Sequence, residues 1–395
     1  MQVLIFAIGF LLFIGLILIH EWGHLAFARR NNVKVREFGL GFPPRAIAKK
    51  LKGGMILSLN WLPLGGFVKL KGEYDSDRRP GSFGAASLSA KTQILLAGVA
   101  ANLVAGLILL TILALVGMPK ILDDRTVGQD QFTVASDTKI IHQDVRAGLI
   151  LPDSPAAKIG LKQRDTLLQI ESQGQVKMLT KASDVSAATS AFAGQNAKIS
   201  FSRNGKVLNE EVKLLSKDEV SESASSSNPK GHLGIVPTEV QIRRSSWSAP
   251  LTAVGVTYQL FELTLQGIGR ALGGLGSIIA ATLTGNDLAR ERAQTTAASQ
   301  VGGPVAIGAI LWGSGSLGLN FMLMIIAVLS LTLALINFLP IPALDGGRLA
   351  VTLGSRLALK RPLSQAAEER IHGTGMVILL GLIVLITIVD VRRFF

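Results

Sequence analysis

Four long apolar stretches divide the chain, and polar stretches separate them. They cover about Val3–Ile19, Ile94–Val116, Phe321–Leu339 and Met376–Val389. Each is close to the ~20 residues that a membrane-spanning helix needs, and the fourth reaches that length only if it extends back towards Ile371. This pattern predicts an α-helical integral membrane protein with about four transmembrane helices.

The first apolar stretch could also be a cleaved signal peptide. It lacks a basic segment at its start and a small-residue cleavage site, which such peptides carry. We therefore expect it to remain as the first span and to continue into the polar residues that follow.

Between the second and third spans, the pattern changes to that of a soluble α+β domain over about 119–240. The stretch GLILPDSPAAKIGLKQRDTLLQIESQ predicts a strand, a short helix from Ser154 and a strand at Thr166–Ile170. Asn204-Gly205 lies within an alternating stretch and predicts a two-residue hairpin turn. The serine-rich residues 221–231 predict a flexible strip.

Residues 246–300 fit neither pattern. The stretch 251–283 within them is apolar but rich in glycine, and Glu262 and Arg270 interrupt it. We expect helices that lie in or along the membrane interface rather than a clean span. A hairpin of two further spans is the alternative. The polar residues 285–300 that follow are expected on the outer side of the membrane.

The charge pattern predicts the orientation of the spans. The chain has a net charge of +13, and residues 29–91 hold 13 Lys and Arg against 4 acidic residues, whereas residues 120–244 hold 17 against 15. An excess of basic residues between two spans marks a cytoplasmic loop. The N-terminus, the 119–240 domain and the C-terminus are then outside, and the 345–373 loop is inside. Because the basic excess belongs to this loop, we do not expect nucleic acid as a partner.

A polar motif, His20-Glu21-Trp22-Gly23-His24, ends the first span. On a helix, His20 and His24 lie on one face at i and i+4 and can share one Zn²⁺, while Glu21 can reach a water ligand. The expected number of chance matches in a chain of this composition is about 0.002. The alternative is that both histidines are hydrogen-bonded interface groups, but unpaired polar groups beside hydrocarbon are costly.

A catalytic zinc site needs a third protein ligand, and the chain has no cysteine. His142 and His232 lie on the wrong side in the predicted topology, and His372 is expected at a surface or in packing. Asp345, in NFLPIPALDGG, is the only acidic residue between Val301 and Leu349. It follows a span directly, and its side of the membrane matches that of His24, so it is the best candidate. The alternative is a helix-capping role after the Pro340 and Pro342 break.

These motifs resemble the site-2 protease family of intramembrane zinc proteases. HEWGH lies on the first span, NFLPIPALDGG ends a later one, and SPAAKIGLKQRDTLLQI resembles the core of a PDZ domain. GGPVAI (302–307) is similar to an element that precedes the family's third span. The order of these features, over nearly the whole chain, is that of the bacterial regulator-of-sigma-E protease subgroup, here with room for one PDZ domain.

The resemblance implies a role for individual residues. His20, His24 and Asp345 would be ligands of Zn²⁺, Glu21 the general base, and Asn337 a contact to the substrate or to the reacting carbonyl. GGMILSLNW (53–61) would form the strands of a membrane re-entrant β-hairpin, and WLPLGGFVKLKGE (61–73) would follow it. An unwound substrate would pair with an edge strand near 55–59. The substrate-binding candidates are Met55, Ile56, Leu57, Ser58, Leu59, Gly65 and Gly66, together with Asn337.

Three positions depart from the family pattern. Val99 replaces a proline near the start of the second span, and Arg348 replaces a histidine after the Leu-Asp-Gly-Gly stretch. Gln163-Arg164-Asp165 stands where the PDZ turn is usually Pro-Gly-Asp. The second-span kink and the PDZ turn therefore need not follow the family.

The sequence as a whole predicts four regions. Residues 1–118 hold two spans and the cytoplasmic re-entrant β-hairpin loop, 119–240 an extracytoplasmic PDZ domain, 241–318 an interfacial helical segment, and 319–395 the last two spans. The predicted fold is thus an α-helical integral membrane protein with an inserted α+β PDZ domain.

The predicted function is that of an intramembrane zinc endopeptidase in the bacterial inner (cell) membrane, with its active site near the cytoplasmic side. Its substrates would be single-pass membrane proteins, such as a clipped anti-sigma factor or signal-peptide remnants. The PDZ domain would bind peptide C-termini or exclude bulky ectodomains. An inactive PDZ scaffold is one alternative, which the retained Glu21 disfavours. A transporter is another, but it predicts more than one cluster of intramembrane charges.

Overall fold

The computed structural model describes residues 1–123, 127–223, 229–284, 286, 302–315 and 317–394. The helices are α1 (Gln2–Arg30), α2 (Leu88–Val116), α3 (Pro155–Lys158), α4 (Ala182–Ala191), α5 (Lys217–Ser223), α6 (Ala249–Thr284), α7 (Pro304–Gly315), α8 (Leu319–Phe338), α9 (Asp345–Ala358) and α10 (Gln365–Phe394). The strands are β1 (Val35–Lys50), β2 (Ile56–Leu70), β3 (Met118–Pro119), β4 (Lys139–Ile150), β5 (Thr166–Ser172), β6 (Gln175–Met178), β7 (Asn196–Arg203), β8 (Lys206–Lys213) and β9 (Ile235–Arg244).

The chain forms two compact units. The helical unit comprises residues 1–115, 127–134 and 247–395, and the sheet unit comprises residues 116–126 and 135–246. Residues 127–134, which the sequence analysis assigned to the 119–240 domain, belong to the helical unit. Phe132 explains this, because its ring lies against Gly255 of α6 and its backbone N–H donates to the side chain of Gln259 at 2.7 Å.

Four helices within the described ranges are long and apolar enough to cross a membrane, which confirms the prediction of about four spans. They are α1, α2, α8 and the Gln365–Val391 part of α10. Two of them begin earlier than the apolar stretches suggest, α2 at Leu88 and α10 at Gln365. The fourth stretch is therefore long enough to span. Helix α2 runs without interruption through Val99, so the replacement of proline there leaves it continuous.

Residues 249–284 form one helix, α6, where several helices were expected. It is not among the candidate spans. Large apolar side chains are exposed along one side of it, namely Leu251, Val254, Tyr258, Leu265 and Leu272. The polar residues 285–300 lie outside the described residues, apart from Asn286.

Strands β1 and β2 form a sheet in which each strand pairs twice. Residues 37–40 pair with 56–59 on one side and with 66–69 on the other, and residues 45–50 pair with 56–60. The order across this small sheet is therefore 45–50, 56–60, 37–40 and 66–70. Two expectations are wrong here. Residues 55–59 do not provide a free edge, because 56–59 are paired on both sides, and 61–73 do not follow the hairpin, because β2 continues to Leu70.

A buried polar cluster holds this double pairing together. The Glu37 carboxylate accepts hydrogen bonds from the Arg45 guanidinium and, at 2.8 Å, from the Ser58 hydroxyl. Asn60 donates to the carbonyl of Gly41 at 3.0 Å. These side chains belong to segments that are distant along β1 and β2, so the partner strand of 56–60 could not be recognised from the alternation within 53–61.

The sheet unit contains an antiparallel sheet in the order β3, β9, β4, β5, β7, β8, with β6 paired to β5. The short helix α3 begins after Ser154, whose hydroxyl accepts from the N–H of Ala157 at 3.2 Å, as a helix N-cap does. Asn204 and Gly205 have positive φ values of 51° and 79° and join β7 to β8. These predicted elements are confirmed.

The serine-rich strip is partly different from the prediction. Residues 217–223 form helix α5, so 221–223 are helical, and residues 224–228 lie outside the described residues. Ser216 explains the start of this helix, because its hydroxyl accepts from the N–H of Glu219 at 3.2 Å.

Candidate metal centre

Helix α1 brings two imidazoles together in its C-terminal half. His20 and His24 are one turn apart, and their Nε2 atoms lie 3.2 Å from each other. Both side chains are almost completely buried, at 12% and 10% exposure. Since residues four apart share a helix face, this pair follows from the local spacing alone.

The third side chain comes from the other end of the chain. Asp345 is the first residue of α9, and its Oδ2 lies 3.0 Å from His20 Nε2 and 3.1 Å from His24 Nε2. Helix α8 ends at Phe338, and Pro340 and Pro342 lie in the short connection that turns the chain towards His20. Among the described residues, these three form the group of His, Asp and Glu side chains that could hold a metal ion, with ligand atoms within 4.8 Å of one another.

The carbonyl of Ile94 orients one of the imidazoles. It lies 2.8 Å from His24 Nδ1, so the Nδ1–H donates to it and Nε2 is left with its lone pair facing His20 and Asp345. Ile94 is fully buried in α2, within a core that includes Phe83 and packs against Leu349 of α9. The sequence analysis missed this carbonyl, because a backbone oxygen has no residue signature.

Gly98 of α2 leaves the space that the two histidines occupy. A Cβ atom there would lie 2.4 Å from His24 Nε2 and 2.7 Å from His20 Cε1. The sequence analysis considered the neighbouring Val99 and did not single out this glycine. Its significance appears only when α2 is packed against α1.

Glu21 lies beside the three converging groups. Its carboxylate is close enough to His20, His24 and Asp345 for electrostatic interaction. Its Cγ also faces β2, since a Cβ on Gly66 would lie only 2.9 Å from it. The end of β2 therefore passes directly beside the glutamate of the motif.

The remaining predicted residues are not part of this group. Asn337 is in the last turn of α8, where its amide donates to the carbonyl of Leu333 at 3.0 Å. Met55–Leu59 lie at the start of β2, and Gly65 immediately precedes Gly66. Arg348 points to the loop before α2, where its guanidinium donates to the carbonyl of Glu73 at 3.2 Å.

The other histidines are elsewhere. His142 contacts Asp144 at 3.2 Å and the Nδ1–H of His232 donates to the carbonyl of Leu215 at 2.8 Å, both within the sheet unit. His372 is in α10, outside the group that surrounds Asp345. Asn102 is buried in α2, and its backbone carbonyl accepts from the Ser330 hydroxyl at 2.8 Å.

The donor set fits a zinc ion. Two imidazole nitrogens and one carboxylate oxygen converge, and the hydrogen bond from His24 Nδ1 to the Ile94 carbonyl leaves His24 Nε2 facing inward. Three protein ligands leave one position open, as in catalytic zinc sites. The absence of cysteine excludes thiolate ligands and is consistent with this donor set.

Comparison with known proteins gives concordant matches over almost the full length. Residues 8–382 match the family described as Peptidase family M50. A protein of Clostridium perfringens, named as a candidate zinc metalloprotease, is 28% identical, and the match covers 98% of each chain. One of Campylobacter jejuni with the same kind of name is 29% identical over 96% of this chain and 90% of its own. A probable protease of Enterococcus faecalis is 24% identical over 98% and 99%.

Proposed function

Because the chain belongs to peptidase family M50, the site-2 proteases, we propose that it is a zinc metallopeptidase that cleaves single-pass membrane proteins within or near their membrane-spanning segment. The observation that carries this proposal is the meeting of His20, His24 and Asp345 at a helix that is apolar enough to span a membrane. Glu21 lies beside them.

Zinc would be held by His20, His24 and Asp345. When bound, it would lower the pKa of a water ligand and polarise the carbonyl of the scissile peptide bond. Glu21 would take a proton from the attacking water while the water oxygen forms its bond to the carbonyl carbon. When the carbon–nitrogen bond breaks, Glu21 would pass that proton to the leaving amine.

A substrate helix must unwind before its peptide bond can be attacked, since its carbonyls are already hydrogen-bonded. Residues 66–70 form an edge of the small sheet, and no strand among the described residues pairs with their outer side. Gly66 also lies beside Glu21. We therefore assign substrate pairing by strand addition to the 66–70 edge, in place of residues 55–59.

The hairpin has the surface expected of a segment that enters the membrane. Six of its large apolar side chains are more than a third exposed: Phe42, Ile47, Leu57, Leu59, Trp61 and Leu62. This exposure supports a hairpin that re-enters the membrane. Its 66–70 edge would hold the substrate next to Glu21. Asn337, eight residues before Asp345 in the chain, would contact the substrate or the reacting carbonyl.

The charge distribution supports the orientation proposed above. Residues 29–91, with their 13 basic residues, would face the cytoplasm, and the sheet unit would lie outside. The protein would therefore be a multi-pass component of the bacterial inner (cell) membrane with its active site near the cytoplasmic side. Helix α6, with its exposed apolar side, would lie along the interface.

The sheet unit would act as a PDZ domain. Its short helix α3, the longer helix α4 and the antiparallel sheet agree with the resemblance of SPAAKIGLKQRDTLLQI to a PDZ core. Such a domain would bind peptide C-termini or exclude substrates that still carry a bulky external domain.

The test uses the Glu21→Gln variant and a tagged single-pass substrate in membranes, with zinc measured in the purified protein. Removal of a general base is expected to slow cleavage about 10²- to 10⁴-fold while zinc is retained. His24→Ala is expected to lose both zinc and cleavage, and His142→Ala, in the sheet unit, neither. Wild-type cleavage by Glu21→Gln would contradict the assigned base.

A further inference from the structure

A second cluster of charges is buried in the helical unit, away from the metal centre. Asp75 and Lys91 are each only 2% exposed in their side chains, and they form an ion pair. Arg356 of α9 completes the cluster, with its Nε donating to Asp75 Oδ2 at 2.7 Å and its Nη2 to Oδ1 at 3.1 Å. One carboxylate thus receives two cations from different helices.

The fourth member comes from α10. The backbone N–H of Asp75 donates to both carboxylate oxygens of Glu368, at 3.1 and 3.2 Å. Burial by itself raises the pKa of Asp75, but the hydrogen bonds from Arg356 and Lys91 outweigh it and lower that pKa below its ordinary value. Asp75 is therefore a charged group at the meeting point of α2, α9 and α10.

One of the two cations, Lys91, is connected to His24 through helix α2. Lys91 is one turn before Ile94 on α2, and the Ile94 carbonyl accepts the hydrogen bond that orients the His24 ring. Lys91 also donates to the carbonyl of Gly84 at 2.8 Å. A shift of Lys91 would therefore move the turn of α2 that sets the direction of the His24 lone pair.

The other cation, Arg356, is connected to Asp345 through helix α9. Arg356 is on the same helix, α9, of which Asp345 is the first residue. Arg356 is eleven positions after Asp345, which corresponds to about 16 Å along a rigid helix. Arg348 makes a second contact on this side, because its guanidinium lies 5.9 Å from the centre of the Phe83 ring and donates to the carbonyl of Glu73.

We propose that Asp75 is a positioning residue of the metal centre, because it joins the helix that begins with Asp345 to the turn of α2 that orients His24. The inference rests on the proposed function, since it concerns the same zinc site. Asp75 does not touch the metal ligands. It acts through two rigid helices. The distance between Asp345 and His24 therefore depends on the ion pairs that Asp75, in the loop before α2, makes with Lys91 of α2 and Arg356 of α9.

The experiment measures metal binding by the full-length Asp75→Asn variant in detergent. Zinc affinity is expected to fall about tenfold, at the lower end of the effect of residues that orient metal ligands. The visible absorption of bound Co²⁺, which reports the ligand arrangement, is expected to change at saturating Co²⁺. Wild-type zinc affinity and a wild-type Co²⁺ spectrum would overturn the proposal.

A second pair of variants covers the case in which Asp75→Asn does not fold. Arg356 is partly exposed, so Arg356→Gln leaves less uncompensated charge in the interior. It is expected to weaken zinc binding in the same direction, and Arg356→Lys, which keeps the charge, to restore part of the affinity. Wild-type metal binding by a folded Arg356→Gln protein would also overturn the proposal.

Asp165→Asn is the matched control. Asp165 is buried in the sheet unit and receives two hydrogen bonds from Arg203, at 2.9 and 2.6 Å. The same chemical change there is expected to leave zinc affinity and the Co²⁺ spectrum unchanged. If the wild-type protein itself binds no zinc, the proposed function fails together with this inference. If only Asp75→Asn and Arg356→Gln bind like wild type, the inference alone fails.

Discussion

At the residue scale, the metal centre depends on the absence of a side chain at Gly98. The two imidazoles and α2 approach so closely that a single Cβ would lie 2.4 Å from His24 Nε2. The His24 ring is also held against α2 by its hydrogen bond to the carbonyl of Ile94, one turn before Gly98. Zinc binding should therefore depend on this glycine as strongly as on a ligand.

Replacement of Gly98 by alanine is expected to abolish zinc binding or to reduce zinc affinity at least 100-fold, because the added methyl group displaces both imidazoles. Zinc content of the purified variant is the measurement. Gly106→Ala is the control on the same helix, where the methyl would meet the Leu331 side chain at 2.7 Å. We expect it to lower thermal stability and to keep zinc. Full zinc occupancy in Gly98→Ala would rule out the close approach of α2 and α1.

At the scale of elements, the small sheet explains why one strand was assigned the wrong position. The alternation in 53–61 does predict a strand, and β2 covers these residues from Ile56 onward. Whether a strand is central or at an edge depends on its partners, and 56–60 have partners on both sides. The two edges of the sheet are 45–50 and 66–70. The edge beside Glu21 is 66–70, which the sequence analysis had read as a segment after the hairpin.

Gly66→Ala tests the function of this edge. Its Cβ would lie 2.9 Å from Glu21 Cγ and 3.2 Å from the carbonyl of Gly39. Cleavage of a single-pass substrate is expected to fall at least tenfold, because small displacements of a catalytic group have large effects on rate. Zinc content should remain that of the wild type.

The control for this variant is Gly54→Ala, at the tip of the turn between β1 and β2. A Cβ there meets no atom within 4 Å, but the φ of +88° strains any other residue. It therefore disturbs the hairpin without contact to Glu21, and cleavage is expected to stay within about threefold of wild type. Equal losses in Gly54→Ala and Gly66→Ala would assign the effect to the hairpin as a whole.

At the scale of the whole molecule, the absence of cysteine makes the orientation of the spans directly measurable. Lys206 is exposed at the start of β8, next to the Asn204-Gly205 turn, and Arg361 is exposed between α9 and α10. With single cysteines at these positions, a membrane-impermeant maleimide added to spheroplasts is expected to label Lys206→Cys only. Arg361→Cys should react after permeabilisation. The reverse pattern would invert the proposed topology.

The sequence by itself determined the features that depend on neighbours along the chain. The spans follow from runs of apolar residues, the pairing of His20 with His24 from the helical repeat, and the turn at Asn204-Gly205 from the two residues' tolerance of positive φ. Asp345 could be proposed as their partner because it is the one acidic residue in a long apolar region and because the motifs resemble a known family.

Only the tertiary structure decided which distant groups meet. It brings Asp345 within 3.1 Å of histidines more than 320 positions away, and it places a backbone carbonyl, a glycine and a strand edge around them. It also joins Asp75 to two helices that serve the same centre. Packing between elements decides which carbonyl faces a histidine, at which glycine two helices approach closely, and which strand lies at an edge. No local pattern of residues encodes these relations.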